Sequence, residues 1–446
     1  MEKYDFLEFK LFLEICKIPH ASFKTELLRD FIAREAESYG AKVTLDKAGN
    51  IHCIKGTPKL CLQGHYDMVY VSKNKEFLVE PKIISENGKE FLVAKDSSLG
   101  ADNGVAVACM LETLRTRDNI ECLFSNDEEV GMIGANNIEL GLESKFMLNL
   151  DSEDIDEVVY SCAGGYDLEA KIEFKKLEIL QNYVFFKAKT QGFKGGHSGI
   201  EIHKNIKNAI IEAAILAESL VKIGAKICHF SGGEKRNSIP TGALIIFGIP
   251  QNAVESCKNI IAKSGQFTLS ECEKVESYFD ITPLLKAILS LENGVLQTKN
   301  GEPILSSSIG ILEQIIKDNK TEFKLCAMGR GNVESLMKAQ SKKECEKLEA
   351  LGFSTKILDF YSPWEREDST LLEIVKEVYQ KRRENPQIKG IHAGLECGIL
   401  KQKYPQISFA SIGPTITHPH SINERLDLDS FVEFCAILKE ILNRFC

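Results

Sequence analysis

Three short apolar runs in the first third of the chain, Lys59 to Gln63, Ile120 to Ser125 and Phe146 to Leu150, each give way at once to ionisable side chains. The first leads to His65 and Asp67, the second to Asp127, Glu128 and Glu129, and the third to Asp151. Short apolar runs bounded by polar turns predict buried strands. After Gly100 to Asn103, the residues Val105, Val107, Ala108, Leu111 and Leu114 line one side of a helix, and Ala135 to Asn137 are helical as well. Strand, helix, strand, helix, strand is the order of a layered α/β domain whose parallel strands end in functional loops. Chemistry is therefore expected just beyond the strand ends.

The rest of the chain divides around this core. Residues 6–38 carry apolar spacing for two helices, and Lys42 to Leu45 and Ile51 to Lys55 read as strands. From about residue 184 the pattern changes. Tyr183 to Ala188, Leu244 to Phe247, Ile304 to Gly310 and Phe323 to Met328 are strand-like, and Ile206 to Val221 is strongly helical. These predict a second, α+β domain over 184–385 with a more open sheet. The first domain then comprises 1–183 and 386–446, rejoined through His392 to Leu400 and the strand-like Ile407 to Ile412, and closed by a helix from Leu428 to Arg444. No repeat of fixed period is found. With 446 residues, 43% of them hydrophobic, the chain has ample material for two or three domains.

Charge and composition narrow the function. The balance of 55 basic against 64 acidic residues, with no long basic cluster, argues against nucleic acid as a partner. No stretch approaches the roughly 18 apolar residues that span a bilayer. The first residues do not read as a secretory signal, so the expectation is a soluble, cytoplasmic protein. The 14 cysteines are scattered without a C-x-x-C pair and read as reduced thiols.

His65 and Asp67 are two apart, so an extended backbone directs both to one face, where an imidazole can bind a metal beside an orienting carboxylate. A surface His–Asp hydrogen bond is the plainer alternative. Asp102, flanked by Gly100 and Gly104, can bridge two cations with its two oxygens or simply cap a helix. Asp127, Glu128 and Glu129 repel one another, and either cations or a solvated turn relieve that repulsion. Asp151 is the first carboxylate beyond its strand, and the acids that follow it read as a solvated face. His418 and His420 lie near the end of the chain, and spacing alone does not choose between them. Imidazoles and carboxylates without thiolates suit zinc, manganese or cobalt. H-E-x-x-H is absent, and so are G-x-x-x-x-G-K and G-x-G-x-x-G, which argues against that zinc-peptidase design and against a nucleotide site.

Taken in order, Gly64-His65-Tyr66-Asp67-Met68-Val69, Leu99-Gly100-Ala101-Asp102-Asn103-Gly104, Asp127-Glu128-Glu129-x-Gly131, Gly195-Gly196-His197-Ser198-Gly199, His392-Ala393-Gly394-Leu395-Glu396-Cys397-Gly398 and His420-Ser421-x-x-Glu424-Arg425 resemble metallopeptidase family M20. Within it they are most similar to the branch of aminoacyl-histidine and cytosol non-specific dipeptidases. The resemblance implies a zinc-peptidase-like catalytic domain, with a central, mostly parallel sheet flanked by helices, and an inserted α+β lid domain. It implies two divalent metal ions, zinc before manganese or cobalt, one held by His65, Asp102 and Asp151 and the other by Asp102, Glu129 and His420. Glu128 becomes the general base and acid for a metal-bridging water, and Asp67 the partner of His65. His197 becomes the lid histidine that polarises the scissile carbonyl.

Asn237 and Arg330 become substrate contacts. His392 and Glu396 either line the pocket or form a hydrogen-bonded pair supporting the metal site. Tyr66, Ser97-Ser98 and the Ala327–Asn332 segment depart from the family pattern. The implied substrate is a dipeptide, of Xaa-His type or broader, with lid closure restricting the enzyme to small peptides, and the resemblance suggests a homodimer. An N-acyl-amino-acid deacylase of the same scaffold and a non-catalytic peptide-binding relative are the rival readings.

Overall fold

A computed structural model describes residues 4–179, 182–316 and 320–445. The chain forms two compact units, one of residues 1–162, 364–390 and 395–446, the other of residues 163–363 and 391–394. Both breaks fall about twenty residues earlier than the sequence suggests. The cause is the strand Gly164–Lys175, which pairs along its length with Lys320–Gly331 and on its other edge with Ser354–Tyr361, and so belongs to the second unit. The helix Thr370–Arg382, capped by the Ser369 side chain, packs instead on the helix Leu428–Leu442 of the first.

The first unit is built on an eight-stranded sheet. At its centre Leu60–His65 runs parallel to Ile120–Ser125 on one side and to Phe146–Asn149 on the other, and Ser408–Ser411 adds a further parallel strand. Antiparallel pairs flank them, including Lys42–Leu45 with Ile51–Lys55 and Ile51–Lys55 with Ile120–Ser125. Leu60–His65 and Ile120–Ser125 are buried at every position, as central strands covered on both faces must be. The helix Ala101–Thr116 is buried from Ala101 through Leu114, so the expected single apolar side is in fact apolar almost all round. A small sheet of Pro81–Glu86, Lys89–Ala94, Arg425–Asp427 and Ile416–Thr417 completes the unit.

The second unit holds a nine-stranded antiparallel sheet that contains one topology twice. In the inner copy the order along the chain is Tyr183–Thr190, helix Ala209–Lys222, Lys226–Gly232, Ala243–Pro250, helix Val254–Ser264 and Phe267–Glu271. In the outer copy it is Gly164–Lys175, helix Thr282–Ser290, Glu302–Ile316, Lys320–Gly331, helix Glu334–Glu349 and Ser354–Tyr361. Across the sheet each copy places its strands in the order fourth, first, third, second, and the two second strands meet at Gly232 and Leu312. The inner copy is inserted after the first strand of the outer one. No helix among the described residues is long and apolar enough to cross a membrane.

Candidate metal centre

The central parallel strands of the first unit deliver the polar cluster. His65 ends its strand, and its Nδ1 donates to the Asp67 carbonyl oxygen at 3.0 Å, leaving Nε2 turned toward Asp102 Oδ1 at 3.1 Å and Asp151 Oδ1 at 3.4 Å. The second oxygen of Asp102 lies 3.0 Å from His420 Nε2, and His420 is also 2.9 Å from Glu129 Oε2. One carboxylate thus faces two histidines, one with each oxygen. Asp102 and Asn103 depart from helical dihedrals at the start of their helix, and the peptide bond between them is cis. The Asn103 side chain donates to the Leu150 carbonyl at 2.9 Å, tying this turn to the strand end that precedes Asp151.

Asp67 has a second task beyond its histidine. Its carboxylate accepts the backbone N–H of Glu128 at 2.9 Å and of Glu129 at 3.4 Å, and the Ser22 hydroxyl at 2.7 Å. Asp127, with φ of 49°, accepts the Phe23 N–H at 2.6 Å. The three acids therefore form an anchored turn and not a solvated one. Ser22 carries no periodic signal in the sequence, because it sits in a turn between two helices. His418 belongs to no donor set of the site, whereas His420 does. Both have left-handed backbone, so the alternation of an extended strand could not have chosen between them.

Two triads, His65 with Asp102 and Asp151, and Asp102 with Glu129 and His420, each present ligand atoms within 4.8 Å of one another. A third grouping joins His65, Glu128 and Glu129. Burial opposes charge throughout. It pushes the Glu128 carboxyl well above its ordinary range, with Asp151 and Glu129 adding to the shift, and it raises Asp151 and Glu129 as well. Against the same burial, hydrogen bonds from His420 and His65 hold Asp102 below its usual range, and Asp102 and Glu129 push His420 up to about 11. Such a set is not fully ionised without added positive charge. Glu129 Oε1 is buried with no hydrogen-bond partner. Imidazole and carboxylate donors, a shared carboxylate and an orphaned buried oxygen together fit a pair of divalent cations.

Residues 61–444 match the sequence profile of Peptidase family M20/M25/M40. The chain belongs to that family. It is 29% identical over 473 aligned residues to the cytosol non-specific dipeptidase of Escherichia coli strain K12, covering 97% of this chain and 96% of that one. The crystal structure of an aminoacylhistidine dipeptidase from Vibrio alginolyticus superposes with a TM-score of 0.82 at 27% identity, covering 100% and 99% of the two chains. A tripeptidase from Staphylococcus aureus shares the fold, with a TM-score of 0.62 at 17% identity and coverage of 98% and 96%. The mixed α/β architecture is that of an M20 metallopeptidase.

The second unit of this M20 peptidase gathers its own expected residues. His197 pairs in register with Ser238, and the Ser198 N–H donates to the Asn237 carbonyl at 2.9 Å, so His197 and Asn237 are neighbours. The Nδ1 atom of His197 accepts N–H groups from Gly199 at 3.2 Å and Ile200 at 3.1 Å, which assigns the ring proton to Nε2. A side chain at Gly199 would come within 2.4 Å of the His392 carbonyl and 3.0 Å of the Arg330 Nε, so this loop lies directly on Arg330 and His392. His392 is fastened through both ring nitrogens, Nδ1 to Asn332 and Nε2 to Ser306, at 2.7 Å each.

Arg330 is 4% exposed. Its Nη atoms reach Tyr361 OH at 3.2 Å and Met328 Sδ at 3.3 Å, and its Nε is buried without a partner. Among the described residues no carboxylate forms an ion pair with it. Glu396, in the first unit, is 0% exposed and accepts from the Gln63 amide and the Ser125 hydroxyl under the strand ends. Its burial and these two bonds are compatible with the supporting role.

Proposed function

We propose that this M20 peptidase is a dipeptidase that works with two divalent cations, zinc, manganese or cobalt, held by His65, Asp102 and Asp151 and by Asp102, Glu129 and His420. The single observation behind this reading is the Asp102 carboxylate placed between His65 and His420, one oxygen to each. When bound, such a cation pair acidifies water and polarises a peptide carbonyl. Glu128 is the proton carrier. Its carboxylate oxygen takes a proton from water and returns it to the nitrogen of the departing amine, and the burial that raises its proton affinity suits it to hold that proton between the two events. Asp67 fixes the backbone from which Glu128 projects, and the Asp67 carbonyl holds the His65 ring with Nε2 turned to the cluster.

The second unit supplies recognition. His197 donates from Nε2 to the substrate carbonyl oxygen, Asn237 contacts the peptide, and the buried, unpaired Arg330 takes the terminal carboxylate. An arginine that reads a terminal carboxylate suits short peptides. The dipeptidase names of the Escherichia coli and Vibrio alginolyticus relatives support that class, and cysteines scattered without a C-x-x-C pair suit a reducing cytoplasm.

The test is a substrate panel on chelated protein reloaded with zinc, manganese or cobalt. Dipeptides, Xaa-His among them, are hydrolysed only after reloading, and N-acetyl amino acids are not. Hydrolysis of N-acetyl amino acids with dipeptides left intact overturns the assignment in favour of a deacylase.

A further inference from the structure

The loop that carries Asp102 and the segment that carries His420 are distant in sequence, yet one side chain fastens them together. Glu424 is 3% exposed, and its carboxylate enters the loop 99–102. Oε2 accepts the backbone N–H of Leu99 at 2.7 Å and of Gly100 at 3.0 Å, and Oε1 accepts those of Ala101 at 2.8 Å and Asp102 at 3.3 Å. Four consecutive N–H groups converge because Gly100 is left-handed, with φ of 73°, which makes the loop concave toward an anion. No cationic side chain among the described residues pairs with Glu424. Charge-assisted bonds to the backbone oppose the desolvation of this buried carboxylate.

On the other side of Glu424 the chain continues directly into Arg425–Asp427, which is hydrogen-bonded to Phe91–Val93. On the near side His420 has a half-exposed side chain and a left-handed backbone. It lies four positions before Glu424. We propose that Glu424 is a positioning residue, which holds Asp102 and His420 at one mutual geometry before any cation arrives. The proposal rests on the two-cation reading above. Its hydrogen bonds all go to backbone, so it acts through the two ligands and touches no reacting atom.

The experiment is calorimetric titration of the metal-free, full-length protein with zinc ion alone, wild type against Glu424→Gln. Glutamine keeps the size but turns an amide NH2 against two N–H donors. The expected result is an affinity lower by about 10- to 100-fold, in protein that keeps the circular dichroism signature of the folded wild type. At saturating metal, turnover recovers and the dipeptide KM stays at the wild-type value. Wild-type zinc affinity in Glu424→Gln overturns the proposal.

Hydrogen exchange on the unmutated protein provides a check that does not depend on the variant folding. The amides of residues 99–102 stay as protected as those of the helix interior after metal removal, and their rapid exchange in that state refutes a prearranged loop. A wild type that binds no zinc would remove the two-cation reading itself, whereas a zinc-binding wild type matched by Glu424→Gln removes only the role of Glu424.

Discussion

A buried guanidinium with no carboxylate beside it is held at a cost to the free protein, and Arg330 is in that position. Replacing it with methionine keeps an unbranched chain of similar length beside Met328 and removes the charge. Exchange of buried ionic groups for well-packed apolar side chains ranges from neutral to stabilising by about 1–4 kcal/mol, and a charge without a counter-ion belongs at the stabilising end. For a unit of this size each kcal/mol moves the melting midpoint by about 2–4 °C. The same change deletes charge-assisted hydrogen bonds to the substrate carboxylate, worth about 1.5–3 kcal/mol, which is about a 10- to 150-fold rise in KM.

Arg330→Met should therefore melt higher and bind its substrate worse, opposite signs that a purely structural arginine does not produce. Calorimetry gives the first quantity. The second comes from kcat and KM for a dipeptide and for its C-terminal amide, which lacks the charge Arg330 is to read. Wild type should prefer the free acid, and the variant should treat the two alike. An equal loss on acid and amide, or a lower melting midpoint with unchanged KM, refutes the argument.

Glu128→Gln should retain both cations, counted by elemental analysis, while turnover falls by about 10²- to 10⁴-fold; normal turnover removes its role as proton carrier. His392 gives the second unit an acid limit. Burial, reinforced by Arg330, lowers its pKa to about 4 in the folded state, against 6.5 for an exposed imidazole. Above pH 6.5 both states are neutral and its contribution is fully present, and as pH falls from 6.5 to 4 the unfolded chain takes up the proton first. About 3 kcal/mol is lost over that window. Denaturant titrations of His392→Gln at several pH values should show a shallower acid limb, with the slope unchanged above pH 6.5.

The apolar runs that end on His65, Asp127 and Asp151 made the central sheet legible, since a strand buried on both faces has little choice but to end in its functional loop. The division between units was less so. Gly164–Lys175 alternates as any half-buried strand does, and nothing in that alternation says that its partners lie at 320–331 and 354–361. The duplicated topology shows as no repeat of fixed period in the sequence, because one copy interrupts the other and a sheet covered by helices constrains polarity and length far more than identity. The small sheet does carry a local signal. Asn87 and Gly88, with φ of 53° and 79°, form the tight turn of the hairpin Pro81–Ala94. At the site, side-chain types at strand ends were readable, but the backbone bonds to Asp67 and the burial of Glu396 are products of packing that no local pattern encodes.

Because one copy of the duplicated topology interrupts the other, synthesis itself has an order. The strand Gly164–Lys175 leaves the ribosome long before either of its neighbours exists, while the interrupting copy, complete by Glu271, finds all its partners nearby. The waiting strand shows Tyr166, Leu168, Ala170, Ile172 and Phe174 on one face, and Asp167, Glu169, Lys171, Glu173 and Lys175 on the other. Charged side chains of this kind discourage pairing at an open edge, and in the folded sheet Glu173 meets Lys320.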